Sequence, residues 1–210
     1  MSETLSLSFP ELPAPRKGDP SGVLEKFERM ALDPTSPIRA IRRTPARAAE
    51  HADFPDTLDP RLRAVLTKRG IARPYTHQAE AFARAAEGTN TVVVTPTASG
   101  KTLCYNLPVL NHLLANPGAR ALYLFPTKAL SEDQLDELHT LIEDMGSDLC
   151  AYTYDGDTPQ DSRRAIRQRA NIVLTNPDML HTGILPHHTK WTRLFENLRY
   201  IVIDELHYYR

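Results

Sequence analysis

Cysteine is scarce in this chain, and no apolar run is long enough to cross a membrane. The 210 residues include two cysteines, Cys104 and Cys150, which are too few for a disulfide framework, and no Cys-x-x-Cys pair suggests a zinc site. A spanning helix needs about 18 consecutive apolar residues, and none is found. The first 15 residues lack the basic start and apolar block of a secretory signal. We therefore expect a soluble cytoplasmic protein, nucleoid-associated if the source is bacterial.

An excess of charge of either sign is also absent. The chain carries 25 basic and 26 acidic residues, a net charge of −1, so bulk composition gives no indication of a nucleic-acid partner. Local charge is uneven, because residues 38–73 hold nine basic and four acidic residues, a net of +5. Two interpretations of this run stay open: a solvated basic face and a nucleic-acid contact.

Proline is concentrated near the start of the chain. Nine of the 17 prolines lie in residues 1–60, and residues 1–21 are polar without periodicity. This pattern predicts a Pro-rich, basic and partly disordered extension over residues 1–54, followed by a folded domain over residues 55–210.

After residue 70, short apolar runs alternate regularly with amphipathic stretches. The runs are nearly continuously apolar, as expected of parallel strands buried on both faces. Between them, apolar residues recur every three or four positions, which is typical of helices. This alternation predicts an α/β fold with a parallel sheet. The predicted strands are 91–95, 120–125, 149–154, 171–175 and 200–203, and the predicted helices are 76–87, 101–114, 128–145, 159–169 and 178–185.

A phosphate-binding loop is predicted where the first of these strands meets a helix. Backbone N–H groups at such a junction point at phosphate, and the helix dipole favours negative charge. Gly100 permits close approach of the backbone, Lys101 would reach the β- and γ-phosphates, and the Thr102 hydroxyl would ligate Mg²⁺. The general pattern begins with Gly where this chain has Thr95, and an ordinary strand-to-helix turn is the alternative. The loop reads Thr95-Pro96-Thr97-Ala98-Ser99-Gly100-Lys101-Thr102.

A pair of carboxylates follows the last predicted strand. Asp204 would hold Mg²⁺ through water, and Glu205 would orient or deprotonate an attacking water. Three predicted strands lie between Lys101 and Asp204, as expected for a separation of 103 residues at about 30 residues per strand–helix unit. Ligands in such folds bind at the carboxyl ends of the strands. The loop and the carboxylates are therefore expected to meet, although a polar pair at a strand end is the alternative.

Further motifs stand in the order found in one protein family. Residues 204–207 (Asp-Glu-Leu-His) resemble the second motif of the DEAD/DEAH-box helicases of superfamily 2. Residues 75–78 resemble the glutamine motif of these enzymes, 126–130 with Gln134 resemble motif Ia, 154–158 resemble the turn after the third strand, and 175–180 resemble motif Ib. Residues 97–108 and 184–188 are similar to one branch in particular, the DNA helicases of the mitomycin repair factor A and Hrq type. The resemblance covers about residues 55–210 and implies a RecA-like P-loop domain.

The resemblance assigns roles at matching positions. It implies ATP and Mg²⁺ as cofactors and single-stranded or partly duplex DNA as the partner. Gln78 would contact adenine, residues 97–102 (Thr97, Ala98, Ser99, Gly100, Lys101 and Thr102) would surround the phosphates, and His207 would couple the nucleotide state to the nucleic-acid path. DEAD-box proteins place an adenine-stacking aromatic residue 17 positions before the glutamine, where this chain has Arg61. The implied contacts with the sugar–phosphate backbone are Pro126, Thr127, Lys128, Gly156, Thr175 and Asn176.

The resemblance also implies parts that these 210 residues do not contain. They are a strand between the loop strand and the Asp-Glu strand, a second RecA-like domain with an arginine finger, and a zinc-binding cysteine module. We therefore expect the N-terminal ATP-binding portion of an ATP-dependent DNA helicase that acts in DNA repair, with a gap in its sheet and no competent hydrolysis by itself. An RNA helicase, an NTPase of another class and a non-catalytic nucleic-acid or partner-binding module stay open as alternatives.

Overall fold

The computed structural model describes residues 20–42, 48–96 and 98–209. The chain divides into two compact units, residues 1–48 and 49–210, whereas the sequence placed the boundary between residues 54 and 55. The first unit contains helix α1 (Ser21–Ala31). Of the extension predicted as partly disordered over residues 1–54, residues 1–19 and 43–47 lie outside the described residues.

From α4 to β3 the second unit alternates helices and strands in the predicted order. No helix in the described ranges is both long and apolar enough to cross a membrane. The helices are α2 (Pro60–Lys68), α3 (Thr76–Ala86), α4 (Lys101–Ala115), α5 (Lys128–Asp144), α6 (Gln160–Arg169), α7 (Pro177–Met179) and α8 (Thr192–Glu196), and the strands are β1 (Arg120–Leu124), β2 (Ala151–Thr153), β3 (Ile172–Thr175) and β4 (Leu198–Ile203).

The four strands form one parallel sheet with the order β2-β3-β1-β4. In its central register, Leu122 of β1 lies opposite Val173 of β3 on one side and Ile201 of β4 on the other. The predicted α/β fold with a parallel sheet is confirmed. All four strands end at the same edge of the sheet, so the segments that follow them share one surface.

Helices cover both faces of this sheet. Side chains along a strand alternate between the two faces of the sheet. On one face, Ala121 and Tyr123 join the core formed with α2, α3, α4 and α5. On the other face, Leu122 and Leu124 join the core formed with α6, α8 and Trp191. The near-continuous apolar runs in the sequence reflect this double burial.

The first predicted strand is wrong. Residues 91–96 have no strand hydrogen bonds, and the side chains of Val92 and Val94 are 75% and 89% exposed. A β-branched run forms a strand only beside an edge that supplies hydrogen-bond partners. Both edges of β1 are taken by β3 and β4, and within the described residues no strand pairs with the outer edge of β4.

The helix predicted over residues 178–185 is replaced by three shorter turns. The α-helical turn α7 passes into a π-helix (Leu180–Ile184) and then a 3₁₀ helix (Leu185–Trp191). The Met179 sulfur packs where a Cβ on Gly183 would lie, and Pro186 follows, which limits continuation of a regular helix.

Candidate nucleotide and nucleic-acid site

The phosphate loop has the backbone shape of an anion cradle. Ala98 and Gly100 have φ values of 60° and 74°, in the left-handed region, and Gly100 is the N-cap of α4. Alternation of right- and left-handed residues turns successive N–H groups toward one point, where an anion binds. A non-glycine residue with positive φ is strained, and such strain is concentrated at ligand sites. Thr97 lies outside the described residues.

Side chains of the loop also converge on its own backbone. The Lys101 ammonium donates to the carbonyl oxygens of Thr95 at 3.0 Å and Pro96 at 3.2 Å. The hydroxyls of Thr95 and Ser99 are 2.6 Å apart. Lys101 is thus held at the mouth of the loop, where its ammonium can exchange these carbonyl acceptors for a phosphate oxygen.

Helix α3 holds the loop in place through two neighbouring side chains. The Gln78 amide accepts from the Tyr75 N–H at 2.8 Å and donates to the Gly100 carbonyl at 2.8 Å, and Gln78 is only 2% exposed. One N–H and one oxygen lone pair of this amide remain, so its contact with adenine stays a prediction. His77 Nε2 lies 3.0 Å from the Ser99 carbonyl oxygen. The sequence did not single out His77, although its place beside Gln78 in the first turn of α3 was a signal.

Gly100 is the position where this loop is least tolerant of a side chain. A Cβ there would lie 2.7 Å from Gln78 Nε2, and the φ of 74° is unfavourable for any other residue. Gly100→Ala is therefore expected to lower the free energy of unfolding by about 1–2 kcal/mol, measured by urea denaturation. Gly118→Ala is the matched control, because a Cβ at Gly118 meets nothing within 4 Å. Equal stability of the two variants would contradict the packing described.

The two carboxylates lie immediately after β4. The Asp204 N–H donates to the Leu124 carbonyl at 3.0 Å, which extends the β1–β4 ladder by one residue. Burial is the main influence on the pKa of Asp204 and raises it, the hydrogen bond from the Glu205 N–H lowers it, and the Glu205 and Lys101 charges act in opposite directions. Helix α4 packs along β4, since His112 near its end meets Tyr200 near the start of β4, with ring centroids 5.5 Å apart. The start of α4, with Lys101, therefore lies toward the end of β4 that carries Asp204, and a shared site for the loop and this carboxylate stays a prediction.

Glu205 occupies a strained turn beside Asp204. Its φ is 48°, and its N–H donates to Asp204 Oδ1 at 2.9 Å. Its carboxylate oxygen lies 3.3 Å from His207 Nδ1, and both side chains are solvent-accessible. Glu205 is thus oriented by the backbone and open to water, while the coupling role of His207 stays a prediction.

The donor atoms present suit magnesium better than a transition metal. The Thr102 hydroxyl and the Asp204 carboxylate are hard oxygen ligands, and Mg²⁺ typically takes one or two protein ligands together with water and phosphate oxygens. Across the described parts of the chain, no three His, Cys, Asp or Glu side chains cluster as a metal site.

Two residues near these motifs belong to the core. Burial raises the pKa of the Cys104 thiol to about 11, so the thiol is protonated and unreactive at neutral pH. Trp191 is 1% exposed and meets Tyr154 edge-to-face, with ring centroids 4.6 Å apart.

The predicted nucleic-acid contacts lie in a row at the same edge of the sheet. Residues 126–128 follow β1, Thr175 ends β3 with Asn176 next to it, and Gly156 follows β2, so they span three adjacent strand ends. Thr127 caps α5 by accepting from the Leu130 N–H at 3.3 Å. Asn176 caps α7 in the same way, from the Met179 N–H at 2.8 Å.

Two of these residues are engaged within the chain. Thr175 is 3% exposed, and its hydroxyl donates to the Tyr154 carbonyl at 2.6 Å, which ties the end of β3 to the turn after β2. The Lys128 ammonium forms an ion pair with Asp157, which raises the pKa of Lys128. Direct contacts by Thr175 and Lys128 stay predictions. The sequence missed Asp157 as a partner of Lys128, because the two residues are neighbours only after folding.

Four of the nine basic residues in the run at residues 38–73 form ion pairs within the chain. Arg61 pairs with Asp59, and Arg73 pairs with Asp53. Lys68 and Arg69 both reach Asp144. These pairs favour the interpretation as a solvated face over a nucleic-acid contact, and Arg43 and Arg47 lie outside the described residues.

Comparison with known proteins identifies the family. The model of the DEAD/DEAH box helicase family matches residues 75–210, which is more than half of the chain. The chain therefore belongs to the DEAD/DEAH box helicases, and its fold is that of their RecA-like domains.

Individual relatives point to one branch. The uncharacterized ATP-dependent helicase YprA of Bacillus subtilis is 58% identical over 164 residues, which are 78% of this chain and 22% of YprA. The ATP-dependent helicase hrq1 of Schizosaccharomyces pombe is 40% identical over 81% of this chain and 16% of that protein. Among solved structures, the DUF1998 helicase MrfA bound to DNA and AMPPNP has a TM-score of 0.77 and 58% identity over 78% of this chain and 23% of its own. The chain thus spans about a fifth of the length of these relatives.

Proposed function

We propose that this chain is the N-terminal ATP-binding portion of an ATP-dependent DNA helicase that acts in DNA repair, in the branch of the mitomycin repair factor A and Hrq enzymes. The main support is the placement of Lys101 at the start of α4 and of Asp204 at the end of β4, toward the same sheet edge as the row of predicted backbone contacts. The relative MrfA, bound to DNA and AMPPNP in its crystal structure, supports both ligands.

In this proposal the loop and the carboxylates divide the work on ATP. The N–H groups of residues 98–102 and the Lys101 ammonium bind the phosphates. Thr102 and Asp204 would hold Mg²⁺, which neutralises charge on the phosphate oxygens when bound. Glu205 orients the attacking water and accepts its proton. Burial raises the pKa of Asp204, and a cation held beside the carboxylate would lower it again.

The predicted contacts at the strand ends form what we call the strand-end row, which consists of residues 126–128, 156, 175 and 176. This row would contact the backbone of a single DNA strand. Phosphate contacts carry little sequence information, which suits an enzyme that moves along a strand. The helix caps Thr127 and Asn176 place helix N-termini at this edge. The proposal extends to the whole protein only through its relatives, since the chain covers about a fifth of their length.

The open positions in the sheet support the same proposal. The outer edge of β4 and the exposed segment 91–96 lack strand partners within the described residues. A further strand in the longer protein would pair with both. We propose that turnover by the 210 residues alone stays near background, because the transition-state arginine would come from the second domain.

The test is ATP turnover by the full-length protein with single-stranded DNA, with single-stranded RNA of the same sequence, and with neither. We expect DNA to raise the rate at least tenfold and RNA to raise it less. Stimulation by RNA alone would favour the RNA helicase. Binding of nucleic acid without any turnover would favour the non-catalytic module.

A further inference from the structure

The turn at residues 154–158 has nearly all its polar backbone groups engaged. The Asp155 carboxylate accepts from the N–H groups of Asp157 at 2.9 Å and Thr158 at 3.1 Å. The Thr158 hydroxyl in turn accepts from the Asp155 N–H at 2.9 Å. These bonds engage the N–H groups of Asp155, Asp157 and Thr158 within the turn. They restrict the backbone conformation of the turn.

Arg163 binds the acceptors of the same turn. From helix α6, its guanidinium donates to three carbonyl oxygens and the Tyr154 hydroxyl. The distances are 3.0 Å to Asp155, 3.3 Å to Gly156, 3.0 Å to Thr158 and 3.3 Å to the hydroxyl. A single planar side chain therefore holds the carbonyls of three turn residues, which a lysine ammonium could not match in geometry.

The guanidinium itself is anchored to the core. It lies over the Tyr154 ring, 5.0 Å from the ring centroid, and Tyr154 is 3% exposed and packs against Trp191. Stacking of this kind adds to the hydrogen bonds and fixes the plane of the fork. Its donors point at the turn, so Arg163 is placed to shape the turn, not to bind a phosphate.

The Gly156 N–H is not engaged by these hydrogen bonds. Within the described residues it has no hydrogen-bond partner, and Gly156 is exposed. The fold does not require glycine there, because a Cβ would meet nothing within 4 Å and the φ is not positive. Neither packing nor backbone conformation requires glycine at this position. The absence of a side chain there would let a ligand approach the backbone closely.

We infer that Arg163 is a positioning residue for single-strand binding: it holds the carbonyls of the turn so that the Gly156 N–H faces the sugar–phosphate backbone. This inference rests on the proposed function, because it presupposes that the strand-end row binds DNA. The sequence offered no signal for it, since Arg163 is one of several arginines on the polar helix α6 and no motif spacing marks it.

The test measures binding of a fluorescein-labelled oligothymidylate to the 210-residue chain by anisotropy, over a series of salt concentrations. Arg163→Gln is expected to weaken binding about tenfold, the loss of roughly one hydrogen bond to a charged group. The slope of log K against log salt should not change, because no phosphate charge contact is removed. Arg163→Lys should bind as weakly as Arg163→Gln, and Gly156→Ala, which the fold tolerates, should also bind about tenfold more weakly.

Arg164→Gln is the matched control, since Arg164 is exposed at the next position of α6. It should leave the affinity near the wild-type value.

A slope reduced by about 0.7 in Arg163→Gln would show a direct phosphate contact, and full affinity in Arg163→Lys would show that charge alone suffices; either result overturns the inference. An equal loss of Mg-ATP affinity in Arg163→Gln would assign the residue a general structural role and also overturn it. If the wild-type chain fails to bind the oligonucleotide, the proposed function fails, whereas wild-type binding with an unaffected Arg163→Gln contradicts this inference alone.

Discussion

Lys101→Ala is expected to weaken binding of Mg-ATP to the 210-residue chain by roughly 10- to 150-fold, which corresponds to about 1.5–3 kcal/mol for hydrogen bonds to a charged group. The Lys101 ammonium already lies at the mouth of the loop, on the carbonyls of Thr95 and Pro96. Its removal leaves the β- and γ-phosphates without their cation from the protein. Isothermal titration calorimetry with a non-hydrolysable ATP analogue and Mg²⁺ measures the loss.

Lys128→Ala is the matched control for this experiment. It removes the same charge from another strand end, where Lys128 pairs with Asp157 and, among the described residues, makes no contact with the phosphate loop. Its affinity for the nucleotide should stay close to that of the wild type. If Lys101→Ala bound the nucleotide as tightly as Lys128→Ala, the loop would not be the phosphate site.

Glu205→Gln should separate binding from chemistry in the full-length protein. The amide keeps the shape and the hydrogen bond from the Glu205 N–H to Asp204, so we expect little change in nucleotide affinity. It removes the general base, which contributes about 10²- to 10⁴-fold to such reactions. Steady-state ATP turnover in saturating single-stranded DNA should fall by that factor.

Glu143→Gln provides the corresponding control, because Glu143 is exposed near the end of α5 that lies away from the site. Its turnover should match that of the wild type. A Glu205→Gln enzyme with more than a tenth of the wild-type rate would assign the base to another residue.

The sequence was sufficient to predict the fold wherever local pattern and tertiary burial agree. Strands β1 and β3 are buried on both faces, so their residues form nearly continuous apolar runs. The segment at residues 91–95 is also rich in apolar, β-branched residues but forms no strand. Strand pairing depends on a neighbouring edge, which the residues of the segment itself do not encode. The π-helix after α7 likewise depends on how Met179 packs against Gly183.

The candidate site was predictable in its motifs but not in its internal contacts. Spacing placed Lys101 and Asp204 together, since the ends of parallel strands share one edge. Arg163 acts through backbone carbonyls, which look alike in every sequence, so no pattern of side chains reveals it. His77 also acts through a carbonyl, and its place beside Gln78 was its one signal in the sequence. Gln78 was named for adenine, and the structure shows that its amide also holds the Gly100 carbonyl.

The central claim is that the loop at residues 95–102 and the Asp204–Glu205 pair form one Mg-ATP site. A crystal structure of this chain with Mg²⁺ and a non-hydrolysable ATP analogue tests it most directly. We expect phosphate oxygens within hydrogen-bond distance of Lys101 Nζ and the N–H groups of residues 98–102, with Mg²⁺ near the Thr102 hydroxyl and Asp204. Nucleotide bound elsewhere on the domain, with Lys101 still on the carbonyls of Thr95 and Pro96, would contradict it.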